Sequence, residues 1–205
     1  FLLYIGLITG VLLALHKAES LDNNGKLMVI LLILPIIRIS EVFLDFSYLW
    51  RTLIVYYALL FLACFYCFRF RINPGYTKRN LALLPLVILL GIVLGVLGNF
   101  LLDFGKNIGV LALIPAIAFS EEILFRGLIQ KLIKNEHGAF FSILFTAIIY
   151  SIFSLSFGFP AVLFVFIVSL IISLVYNFTE NIFLAIAINM LVQAFVFVLP
   201  KINLC

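Results

Sequence analysis

Three charges, Glu121, Glu122 and Arg126, stand within Ser120-Glu121-Glu122-Ile123-Leu124-Phe125-Arg126-Gly127, in an apolar run from about Ile108 to Ile133. At about 1.5 Å rise per helical residue, the glutamates lie about 20 Å from the start of that run. An ionisable group at membrane depth costs about 2.5 to more than 10 kcal/mol, so such groups usually mark function. On a helix Glu122 and Arg126 share a face at i, i+4, with the acid on the N-terminal side, the better orientation. In a low-dielectric setting the two are expected to pair, because leaving either alone costs more than burying both. Glu121 is rotated from Glu122 by about 100°. It shares that partner less easily and is free to face a cavity. The spacing predicts one structural carboxylate and one available for chemistry; the alternative is a single packed, inert network.

The elements that position these charges are apolar helices. The 205 residues are 66% hydrophobic and 11% charged, against about 25% charged in an ordinary soluble domain. Such a chain cannot cover a water-facing surface, so lipid must be its solvent. Cytosolic, secreted and nucleic-acid-binding readings are excluded together. The net charge of +4 sits in loops and speaks to topology, not to a polyanionic partner. With no Met at position 1, a targeting segment ahead of Phe1 stays open.

Hydropathy predicts an all-α, polytopic membrane protein of about eight transmembrane helices. The spans are Phe1–Leu15, Leu27–Leu44, Leu49–Phe68, Leu81–Leu102, Ile108–Ile133, Ala139–Phe157, Ala161–Tyr176 and Ile182–Leu199. Lys17, Lys26, Arg69, Arg71, Lys78, Arg79, Lys131 and Lys134 fall on one side, against Arg51, Lys106 and Lys201 on the other. That bias predicts loops 69–80 and 131–138 in the cytoplasm. Arg38, Glu41 and Asp45 follow i, i+3, i+7 spacing. They form either a polar seam or headgroup contacts beyond a span ending near Ile39.

Glu121-Glu122-x-x-x-Arg126, with Phe125 and Gly127 beside it and three apolar spans following, resembles the first motif of the CAAX protease and bacteriocin-processing (Abi) family of intramembrane proteases. The resemblance covers about 108–199 and implies a four-helix conserved core. It divides the chain into N-terminal helices (1–107) and an Abi-like core (108–205). It also implies that Glu121 is the general base activating water, with Glu122 and Arg126 supporting it, and that the protein lies in the bacterial cytoplasmic (inner) membrane.

The chain departs from the family's second motif, Phe-x-x-x-His, and its third, His-x-x-x-Asn. Tyr150 takes the aromatic place and Ser154 the histidine place of the second. Asn189 and Gln193 stand for histidine and asparagine in the third. The two histidines, His16 and His137, lie in predicted loops. Imidazole exchanges protons near neutral pH, whereas serine and carboxamides do not. General acid–base help is worth about 10²–10⁴-fold, so the replacements remove roughly 3–5 kcal/mol of catalytic assistance. Asn189 and Gln193 retain the capacity to donate to an oxyanion. They, with Tyr150 and Ser154, equally fit the role of polar glue between helices.

No metal or other cofactor is expected, since the membrane core offers two glutamates and no histidine. Cys64 and Cys67 read as small packing residues. The expected function is that of a catalytically impaired pseudoprotease, binding a membrane-protein partner or peptide or serving as a subunit of a complex. The alternative is an active glutamate-dependent intramembrane endopeptidase cleaving peptide or prenyl-protein substrates. The bilayer is the one partner implied throughout.

Overall fold

The computed structural model describes residues 81–102, 111–155 and 158–197 continuously, with scattered helical positions between 25 and 68. Predicted span one, the charged stripe at 38, 41 and 45, loop 69–80, Cys67 and most of spans two and three lie outside the described residues. Every described element is helical. A 3₁₀ turn, Leu81–Leu83, leads into α1 (Leu84–Leu101). Then follow α2 (Ile114–Glu122), a π-helical segment (Ile123–Gln130), α3 (Lys131–His137), α4 (Ala139–Phe153), α5 (Phe159–Thr179) and α6 (Ile182–Phe197).

Local chemistry sets the boundaries. Pro85, Pro115 and Pro160 sit in the first turns of α1, α2 and α5, where a missing N–H costs nothing. Gly138 at φ +83° and Gly158 at φ +92° make the corners before α4 and α5, in a region open to glycine. Asn181 Oδ1 accepts the Phe183 N–H at 3.0 Å and satisfies a donor at the start of α6.

The fifth predicted span begins at residues that are not described, and it runs further than expected. Helix is continuous from Ile114 through His137, so the predicted loop 131–138 is a helix end plus a single-glycine corner. Lys131, Leu132, Lys134 and Glu136 are good helix formers, and Leu132 and Ile133 are buried while Asn135 and Glu136 are exposed. His137 accordingly lies in the last helical turn, exposed, with its ring 5.5 Å from that of Phe141. The sixth span ends earlier, at Phe153, and the seventh is longer at both ends.

Among the described residues two helices, α1 and α5, are long and apolar enough to cross a membrane. Their outer faces carry exposed Leu86, Val93, Leu97 and Phe100, and Leu163, Ile167, Leu174 and Phe178, surface that suits lipid. Inward, α1 runs parallel to α6 along a glycine stripe. A Cβ at Gly95 would lie 2.6 Å from Phe195 Cβ, and one at Gly98 would lie 2.7 Å from Val196 Cγ2. Small residues permit that close backbone approach. Asn99 Nδ2 adds a bond to the Phe195 carbonyl at 2.8 Å. Ile30, Leu34, Tyr56 and Leu59, from predicted spans two and three, join one core with Leu124, Phe125 and Leu128 of the π-segment. Cys64, expected to pack, is exposed.

Candidate active site

Glu121 and Glu122 end α2, and the π-segment begins at the next residue. Its i→i+5 bonding underwinds the helix, a rarity that recurs at functional sites. Arg126 lies inside it, fully buried like Glu122. Arg126 Nε is 3.2 Å from Glu122 Oε2, but neither atom completes a hydrogen bond, so the attraction is electrostatic rather than directional. The guanidinium is anchored from α5 instead: Nη2 donates to Ser169 Oγ at 2.8 Å and to the Ser169 carbonyl at 3.3 Å. Its carbon lies 4.7 Å from the centroid of the Tyr150 ring, close enough for a cation–π contact. Phe125 closes on the same ring at 4.7 Å.

Three donors converge on Glu121 Oε2. Tyr150 Oη donates at 2.6 Å, Gln193 Nε2 at 2.9 Å and Asn189 Nδ2 at 3.1 Å. The other carboxylate oxygen, Oε1, accepts no hydrogen bond among the described residues. Asn189 Nδ2 also donates to Glu122 Oε1 at 2.8 Å. The two carboxylates therefore share Asn189 as a partner, whereas Arg126 forms its ion pair with Glu122. Their long side chains converge because α6 packs across this face of α2 and delivers one amide between them.

The second-motif positions divide differently from the family pattern. Tyr150, in the aromatic place, supplies the group that reaches Glu121. Ser154, in the histidine place, caps the end of α4 and donates to the Tyr150 carbonyl at 3.2 Å. It makes no bond to either carboxylate among the described residues. The structure thus brings Glu121, Glu122, Arg126, Tyr150, Asn189 and Gln193 together and leaves Ser154 aside. The sequence reading missed Ser169. The available signal was Ser169-x-x-x-Ser173 on an otherwise apolar helix, matching the spacing of Arg126 and Gln130.

Counting hydrogens shows what this arrangement can do. Asn189 has two amide hydrogens, and Glu121 and Glu122 take them. Gln193 also has two, taken by Glu121 and by Asn189 Oδ1 at 3.2 Å. Neither amide has a hydrogen to spare for an oxyanion. Among the described residues no group of three or more His, Cys, Asp or Glu could hold a metal ion.

Residues 103–195 match a family model described as type II CAAX prenyl endopeptidase Rce1-like. No curated protein matches the chain, and no solved structure matches it. The matched segment holds both glutamates, the arginine, the phenol and both amides, set within apolar helices. On that match residues 103–195 resemble the CAAX protease family and carry its Glu-Glu-x-x-x-Arg motif within apolar helices.

Proposed function

We propose that this chain is a pseudoprotease of its family, holding a membrane-protein partner or a peptide in the bundle instead of cleaving it. The saturation of both amides carries the reading. Where the family places histidines, Ser154 is turned to its own helix and Asn189 is spent on holding two carboxylates. Peptide hydrolysis needs a group that passes a proton to the leaving amine, and no described side chain at the site is an imidazole. In this proposal residues 108–205 form the Abi-like core and 1–107 add helices around it, for about eight spans in all. The protein lies in a bacterial inner membrane, with 69–80 and the Lys131–Gly138 end in the cytoplasm.

One observation favours a second reading, an active endopeptidase using Glu121 as base. Glu121 Oε1 accepts no hydrogen bond from the described residues, and Glu121 keeps 4% exposure where Glu122 has none, so one oxygen could hold a water. Substrates would then be peptides or prenylated proteins, in keeping with the prenyl endopeptidases that the matching family describes.

Purified protein in lipid nanodiscs, incubated with peptides including prenylated CAAX sequences, separates the two. The expected result is no cleavage beyond that of a Glu121→Gln control. Cleavage abolished by Glu121→Gln would overturn the pseudoprotease reading. Copurification with a stoichiometric membrane partner would support it.

A further inference from the structure

The bundle contains a second polar feature that the carboxylate site does not use. Arg126, Gln130 and Lys134 recur every fourth residue along the π-segment and α3. Arg126 bonds Ser169 and Gln130 Nε2 bonds the Ser173 carbonyl at 3.0 Å, each pair 43 residues apart. The same offset takes Lys134 to Asn177. Helix α4 folds back at Gly138, so its polar positions run in reverse: Tyr150 beside Arg126, then Thr146 and Ser142 one and two turns on. Helical register therefore sets three levels, each with polar residues from three helices. Arg126, Tyr150 and Ser169 are joined by contacts of the guanidinium. Gln130 and Ser173 are bonded to each other, with Thr146 at the same level by register, and Lys134, Ser142 and Asn177 stand at the next level by register. The last ends at the surface, where Lys134 Nζ meets Glu180 Oε1 at 3.2 Å.

Each layer of this stack keeps at least one buried polar atom without a bond among the described residues. Arg126 Nη1, Gln130 Oε1, Thr146 Oγ1, Ser173 Oγ and Asn177 Oδ1 are buried and have no hydrogen-bond partner among the described residues. Gln130, Thr146 and Ser173 are at 0% exposure. Buried polar atoms are nearly always bonded, to protein or to ordered water. A buried water typically takes about three such partners. At the middle level the Gln130 amide oxygen and the Ser173 hydroxyl, with the Thr146 hydroxyl brought to the same level by register, match that set.

We propose that these layers form a hydrated file, through which water reaches the buried carboxylates from the Lys134–Glu180 end of the bundle. Water held in the middle layer bridges Gln130, Thr146 and Ser173, and continues past Arg126 Nη1 to the site. Asn177 and the Lys134–Glu180 pair form the outer mouth. The proposal concerns access of water alone and stands whether or not the protein cleaves peptides.

The sign of a stability change tests it. If the middle layer is hydrated, Thr146→Val and Ser173→Ala each strip a partner from the bound water. Both then lower the midpoint of thermal unfolding by several degrees, and the double variant departs from the sum because the two share a ligand. If the layer is dry, the same changes remove unsatisfied polar atoms and raise the midpoint. Unchanged or raised midpoints overturn the proposal. Hydroxyl-radical footprinting of the full chain in nanodiscs, with radicals generated from bound water, reads the path itself. Tyr150 is expected to be oxidised in the wild type despite its burial, with a several-fold loss in the double variant. A Tyr150 that is unlabelled in the wild type, or equally labelled in both, excludes this route.

Discussion

At the residue scale the deciding fact is who holds Arg126. Its partner in sequence, Glu122, is near but poorly aligned, and its firm hydrogen bonds come from Ser169 on another helix. The buried charges are therefore a tertiary device linking α2, the π-segment and α5, and not a local i, i+4 ornament. Removing one partner leaves an uncompensated buried charge, at a cost of about 3–5 kcal/mol. Arg126→Met alone is expected to destabilise by that order, measured by thermal unfolding in detergent micelles. Arg126→Met combined with Glu122→Gln should recover most of the loss. Equal instability of the single and double variants would mean the arginine acts through packing and Ser169 rather than through the pair.

At the scale of elements, the π-segment and the glycine stripe of α1 position the site. The stripe lets α6 approach closely enough to bring Asn189 and Gln193 to Glu121. Its three glycines are not equivalent. A Cβ at Gly91 would meet Leu191 Cδ1 at 2.9 Å and Leu191 Cβ at 3.0 Å, whereas at Gly95 it would meet Phe195 Cβ at the much closer 2.6 Å. Overpacking typically costs about 1–3 kcal/mol. Gly95→Ala is expected to fall in that range and to lower the unfolding midpoint more than Gly91→Ala does. Much of this architecture was legible beforehand, because hydropathy alone marks apolar helices. The boundaries of α1 and the pairing of Glu122 with Arg126 fall where spacing puts them. The change to π-helix was not legible, since nothing in Ile123–Gln130 distinguishes i→i+5 from i→i+4 bonding. The course of Lys131–His137 was misread because charge there signals a water-exposed helix end as readily as a loop. Ser154 was placed at the site by alignment to a motif, but a residue at a helix terminus bonds its own backbone more cheaply than it reaches across a bundle.

At the scale of the whole molecule, the described helices place apolar surface outside and polar layers inside, the inverse of a water-soluble domain. Exposed Phe140, Phe159 and Phe178 stand with the leucines of α1 and α5 on the outside, while Arg126, Gln130 and both glutamates are interior. The protein is accordingly expected to stay with the membrane fraction through an alkaline carbonate wash and to leave it only with detergent. Release by carbonate would mean that these faces are covered by protein and not by lipid.

The glycine stripe also bears on what unit can be inherited and folded. The family match begins at residue 103, yet α1, which ends at Leu101, is the surface against which α6 is fitted. A gene fragment coding only for the matched segment would yield an α6 with one flank bare and its two carboxamides loosely held. The smallest portable version of this site therefore begins no later than the 3₁₀ turn at Leu81.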